Sequence, residues 1–147
     1  MAWFFDSNVF LRLIEGGDPL RPVALNALRL LRARNEELFY SSQVLAEIWN
    51  VCTRPSSVRG GFGFSPLQTD RKLRLIEKHF RLLPDNLATH QEWRRLIVAH
   101  SVSGIQVHDA RIVGVMNAYN VKNLLTFNTR DFKRFTGIAV VNPADVK

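Results

Sequence analysis

The chain has 147 residues, 46% of them apolar, which suits one domain spanning residues 1–147 with a sizeable core. Its 20 Lys and Arg outweigh 13 Asp and Glu to leave +7, and a surface so rich in Arg suits a polyanion or an acidic partner peptide, the plainer reading being a solvated face that aids solubility. A single cysteine, Cys52, excludes an internal disulfide or a cysteine-built zinc cluster and points to a buried filler in a reducing cytoplasm, and no stretch approaches the ~20 apolar residues of a membrane span.

The first element is a short apolar run, Trp3 to Asp6, whose lack of alternation predicts a strand covered on both faces. Asp6 ends it, either as the cap of a helix starting near Ser7 or as a ligand at the strand's carboxyl end. A helix follows over Pro22 to Arg34, with Pro in its first turn. Leu38 to Ser41 predicts a second strand. Ser42 then caps a helix through Thr53, stopped by Pro55, with Leu45, Ile48, Trp49 and Cys52 as its core stripe. On that helix Glu47 has Val44 and Val51 as its axial neighbours, so it is either an exposed acid beside the stripe or a buried functional one.

Arg54 to Pro66, RPSSVRGGFGFSP, reads as a mobile loop and carries no phosphate-cradle signature. Thr69 or Asp70 caps a helix ending near Phe80, with Leu73, Ile76 and Phe80 inward. Leu82-Leu83 is a weaker strand cut short by Pro84, and Thr89 caps a helix carrying Trp93, Leu96 and Ile97. A further helix runs from His108 to Tyr119. Asp109 begins its stripe of Ile112, Val113 and Met116, pointing toward the core face or complementing the helix dipole. Asn123 to Phe127 predicts a strand that runs out into Asn128, Thr129 and Asp131, ahead of a short helix near Phe132 to Phe135 capped by Asp131 or Thr129. Ile138 to Val141 is the last strand.

Strands alternating with helices predict an α/β fold, a three-layer sandwich with a central, mainly parallel sheet of about five strands flanked by helices. Parallel crossovers would bring Asp6, Asp109 and Asp131 to one sheet edge, with Glu47 a turn or two down its helix. Clustered carboxylates raise one another's pKa unless a cation neutralises them, and histidine-poor oxygen ligands suit Mg²⁺ or Mn²⁺ rather than zinc.

These residues carry a resemblance. FFDSNVF at 4–10, SSQVLAEIWNVCTRP at 41–55, VHDARIVGVMNAYNVKNLLTFNTRDF at 107–132 and VVNP at 140–143 resemble, in order and spacing, the PIN domain and within it the VapC-type toxins of type II toxin–antitoxin pairs. The resemblance implies a metal-dependent endoribonuclease with catalytic acids at Asp6, Glu47 and Asp109 and a fourth at Asp131 or an Asn128 carbonyl. Asn8 and Thr126 are polar supports. It implies that Asp6 and Asp109 hold the ion directly, while Glu47 and Asp131 act through water, a second ion or the attacking water. Candidates to hold RNA phosphates are Arg54, Arg59, Arg130, Lys133 and Arg134, with Phe62 or Phe64 stacking a base. It further implies an antitoxin partner and a homodimer. The competing readings are a catalytically weak RNA- or antitoxin-binding module on the same fold, and a phosphotransferase with an Asp nucleophile.

Overall fold

The computed structural model describes residues 1–147. The chain runs β1 (Ala2–Phe5), α1 (Ser7–Ile14), α2 (Arg21–Ala33), β2 (Glu37–Tyr40), α3 (Ser42–Thr53), α4 (Pro66–His79), β3 (Arg81–Leu82), α5 (Leu87–Ala99), α6 (Gln106–Ala118), β4 (Asn123–Leu125) and β5 (Ala139–Val141), with 3-10 turns at Thr129–Phe132 and Pro143–Asp145. The sheet order is β3-β2-β1-β4-β5 and every pairing is parallel. The expected α/β sheet is therefore present.

Strand ends differ from the expected ones by one or two residues, for a reason that bears on the site. Asp6 and Thr126 still donate backbone hydrogen bonds to the neighbouring strands, to the Leu125 carbonyl and the Val141 carbonyl, both at 3.0 Å. Beyond that rung the ladder is replaced by side chains: the Phe127 N–H donates to Asn8 Oδ1 at 3.1 Å rather than to another strand. β1 lies at the centre with β2 and β4 beside it, and Phe4 and Phe5 are fully buried. Phe5, Phe10 and Phe80 form an edge-packed aromatic cluster, with centroids 4.9 to 5.6 Å apart, that joins β1 to α1 and the end of α4.

Three helix caps fall upstream of their expected places. Ser41, not Ser42, precedes α3. α4 is capped by Ser65 through a reciprocal capping box with Gln68, which leaves Thr69 buried one turn in with its hydroxyl on the Ser65 carbonyl at 2.9 Å. α5 is capped by Asn86, with Thr89 as its box partner. In each case a small polar residue with extended backbone stands just ahead, and the nearer Ser or Thr becomes part of the first turn. The α3 stripe is also rotated. Val44, Ile48 and Cys52 are fully buried, whereas Trp49 is 37% exposed, so the core face follows i, i+4, i+8 and carries Glu47 toward the interior flank.

The 54–65 loop, expected to be mobile, folds back on α3. The N–H groups of Phe62, Gly63 and Phe64 donate to the carbonyls of Val51, Arg54 and Cys52, capping the helix end. A side chain at Gly61 would meet the Arg54 carbonyl oxygen at 2.4 Å, so only glycine allows this fold-back. Phe62 and Phe64 pack half-buried against the core, with centroids 5.7 Å apart, and brace the loop rather than stand open for a base.

α5 and α6 pack closely because α6 has Gly114 at their contact. A Cβ there would stand 3.0 Å from both the N and the Cα of Trp93.

Candidate functional site

The carboxyl edge of the sheet assembles residues from four distant parts of the chain. Asp6 is 5% exposed, and it is both a helix cap and a site residue: its Oδ1 accepts from the Ser7 N–H at 2.8 Å. Its Oδ2 accepts from the Thr126 hydroxyl at 2.8 Å and from Asn8 Nδ2 at 3.1 Å. Asn8 Nδ2 also lies 3.0 Å from Thr126 Oγ1, which accepts from the Asn128 N–H at the same distance. Asn8 and Thr126 thereby lace the ends of β1 and β4 around one carboxylate.

Glu47 is half-buried, and both of its oxygens are engaged. Oε2 accepts from Ser7 Oγ at 2.6 Å and Oε1 from Gln43 Nε2 at 2.9 Å. Gln43 Nε2 lies equally close, at 2.9 Å, to the His108 carbonyl, so one amide ties α3 to the first turn of α6. Sequence reasoning missed Ser7 and Gln43. The available signals were that Gln43 precedes Glu47 by four residues on a helix, and that Ser7 follows directly on Asp6.

Asp109 stands in that first turn of α6, half-buried. Burial pushes its carboxyl up to about 7, and the charges of Asp6, Asp131 and Glu47 push the same way against the opposing pull of Arg134. Burial likewise pushes Asp6 up to about 6, against the hydrogen bonds from Thr126 and Ser7 and with the charges of Glu47 and Asp131 adding to the rise. Asp131 is exposed in the 3-10 turn, yet its charge reaches both Asp6 and Asp109. Asn128 is exposed just ahead of it.

The four acids thus share one electrostatic neighbourhood. No three His, Cys, Asp or Glu side chains converge into a closed ion-binding group.

The basic candidates divide into two sets. Arg130, Lys133 and Arg134 lie exposed on and just after the 3-10 turn, beside the acids. Arg134 is anchored there, donating to Gln106 Oε1 and, at 3.4 Å, to the His100 carbonyl. Arg54 and Arg59 lie at the C-terminal end of α3 and in the loop after it, where the next residues Gly60 and Phe62 line one groove with Asn8. Arg54 Nη1 donates to the Arg59 carbonyl at 3.0 Å, so that guanidinium helps hold the loop.

Fold and site define an α/β domain of the doubly wound kind, with an acidic centre where the first and fourth strands of a parallel sheet end. The PIN domain family model matches residues 3–138, and the chain belongs to that family. Among solved structures it is similar to a chain of VapBC2 from Rickettsia felis bound to a DNA fragment from their promoter, at 22% identity and a TM-score of 0.72, covering 97% of this chain and 98% of that one. It is similar also to a chain of VapBC-1 from nontypeable Haemophilus influenzae, at 20% identity and TM-score 0.69, covering 97% and 98%. A third is VapC20 from Mycobacterium tuberculosis, described as a Sarcin-Ricin loop cleaving toxin, at 18% identity and TM-score 0.62, covering 88% and 92%. No curated protein matches the chain at a significant level. No helix is long and apolar enough to cross a membrane.

Proposed function

We propose that this protein is a metal-dependent endoribonuclease and the toxin of a toxin–antitoxin pair. The observation that carries the reading is the pair of acids, the buried Asp6 and the half-buried Asp109, whose carboxyls are pushed up to about 6 and about 7 with Glu47 and Asp131 adding to the repulsion. A structural role gives no reason to crowd negative charge at one edge, whereas a hard divalent cation would neutralise it. The donors available are oxygens alone, which fits Mg²⁺ or Mn²⁺.

In this reading Asp6 and Asp109 hold the cation, and Asn8, Thr126 and Ser7 fix the Asp6 carboxylate by the hydrogen bonds described. The cation, when bound, lowers the pKa of a water and offsets charge on the phosphate oxygens. Glu47, held at both oxygens by Ser7 and Gln43, orients the attacking water or takes its proton, and Asp131 serves the outer side. Arg130, Lys133 and Arg134 flank the acids and receive RNA phosphates, with Arg54 and Arg59 as further candidates on the loop that approaches Asn8. No serine or cysteine nucleophile is needed.

The test is cleavage of structured RNA with Mg²⁺ or Mn²⁺ titrated in, against Asp6→Asn. Metal-dependent cleavage that the variant lacks is expected. Cleavage that persists in the variant, or that needs no metal, sinks the reading.

Two further structures of this fold are described as a toxin–antitoxin complex from Klebsiella pneumoniae and as VapBC-5, a member of the VapBC family of toxin–antitoxin systems, from Mycobacterium tuberculosis. They support an antitoxin partner and, with the family resemblance, a homodimer. Co-purification with the product of an adjacent small gene, and light scattering at micromolar concentration, test the two separately. A monomer without such a partner would overturn this part and leave the nuclease reading standing.

A further inference from the structure

A cavity of about 540 Å³ opens between the starts of α5 and α6, lined by Trp93, His90, His108, Arg111, Asp85 and Asn86 among others. Its volume falls in the range of small-ligand sites. One wall is aromatic: the His90 and Trp93 rings lie with centroids 5.9 Å apart at 58°. Trp93 is fixed before any ligand arrives, because its Nε1–H donates to the Val107 carbonyl at 3.0 Å and its backbone abuts Gly114. Across the cavity stands Arg111, 45% exposed and steadied by Asp85 Oδ2 at 3.2 Å. Asp85 keeps its other oxygen to accept from an amino group.

The position matters as much as the lining. His108 lines the cavity and Asp109, the next residue, belongs to the acidic centre, so the two sites adjoin along α6. A rigid aromatic face, a guanidinium and a polar floor are what an unstacked base with its sugar-phosphate requires. An apolar anchor from a protein partner would call for an apolar floor, which Asp85 and Asn86 do not offer.

We infer that this cavity is a nucleobase subsite, which takes an unpaired base near the phosphate to be cut, stacked on Trp93 with the tilted His90 ring against its edge and its backbone on Arg111. The inference rests on the ribonuclease reading and names how that site selects single-stranded RNA. His90 and Arg111 act in binding and take no part in the chemical step.

The experiment uses the full chain with His90→Ala and Arg111→Ala, two exposed positions, checked for unchanged thermal melting. Adenosine, guanosine, cytidine and uridine monophosphates are titrated while the Trp93 indole is followed by NMR. Fluorescein-labelled single-stranded RNA of mixed sequence is titrated by anisotropy in EDTA. Saturable shifts at the indole are expected, with RNA affinity reduced about tenfold or more in each variant and cleavage showing a raised KM at little changed kcat. Wild-type-like binding in both variants, or no indole shift, overturns the subsite, and continued metal-dependent cleavage by the parent would then leave the nuclease reading intact. Nucleotide binding in the cavity by a protein that cuts no RNA would do the reverse. A change in sedimentation in the variants, with nucleotide binding unaltered, would mean that a second copy covers the cavity and the inference is wrong.

Discussion

The Thr126 hydroxyl donates to Asp6 Oδ2 at 2.8 Å, from a residue 120 positions away that is itself fully buried. One hydroxyl therefore joins two strand ends and lowers the cost of keeping a carboxylate there. Thr126→Val keeps the shape and removes that donor, along with the acceptor used by the Asn128 N–H. We expect the Asp6 carboxyl to titrate higher and stability to fall by about 1–3 kcal/mol. Carboxyl titration by NMR and urea denaturation measure the two effects, and an unmoved Asp6 titration would refute the assigned role of Thr126.

The raised carboxyls set the sign of a pH dependence in metal-free buffer. Asp6 and Asp109 bind protons more tightly folded than unfolded, where both start from 3.8. Their protonated forms therefore favour the native state, fully below about pH 4, and that contribution is lost as pH rises through about 6 and about 7. Melting in EDTA should show a stability loss from pH 5 to pH 8. Asp6→Asn should flatten it and be more stable than the parent at pH 8 by about 1–3 kcal/mol. A variant less stable than the parent at that pH would contradict the account.

Divalent cation should reverse the same loss. Millimolar Mg²⁺ or Mn²⁺ at pH 8 should raise the melting temperature of the parent, as binding to the native state alone requires, and should release protons. Asp109→Asn should not respond. Calorimetric melts with and without cation decide the matter, and an equal rise in both proteins would place the cation elsewhere.

The hydrogen bonds on Glu47 predict a kinetic effect at residues that touch no substrate. Ser7→Ala and Gln43→Leu each release one Glu47 oxygen. Cleavage should fall about 10- to 100-fold in kcat with KM nearly constant, the scale seen when partners that orient a ligand are removed. Gln43→Glu would place a second acid beside Glu47 and should be worse than Gln43→Leu. The opposite ranking would argue against an orienting role.

Gly114→Ala tests the helix pair. The added carbon would press at 3.0 Å on the backbone of Trp93, which cannot swing aside as a side chain can. A loss of about 1–3 kcal/mol is expected. Because the same contact positions Trp93, the variant should also weaken monophosphate binding in the cavity. Unchanged melting would show that α5 yields at no cost.

How far the sequence could be read follows from what kind of signal each feature leaves. Phe4, Phe5, Leu124 and Leu125 are apolar on both faces of their strands, so the short uninterrupted runs located β1 and β4 directly. Asp6 and Asp109 stood out because each carboxylate conflicts with apolar surroundings, Asp6 at the end of a buried strand and Asp109 at the start of a buried helical stripe. Trp49 was misplaced because the stripes beginning at Val44 and at Leu45 differ by one position of rotation, and only packing against neighbouring helices chooses between them. The Gln43 contact with the His108 carbonyl spans 65 positions and leaves no local pattern. The 54–65 loop looked mobile from its glycines, and the hydrogen bonds that fold it back go to carbonyls at the end of the preceding helix, which composition does not encode.

The pairing of β1 with β4 has a consequence for synthesis. Asp6 is made 120 residues before its hydrogen-bond partner Thr126, and β4 must slot beside β1 before the two meet. A nascent chain halted between Asp6 and Thr126 carries the acid without its setting. The acidic centre is therefore completed only after the chain has been made past β4, and any chemistry that needs all of it must wait for that pairing.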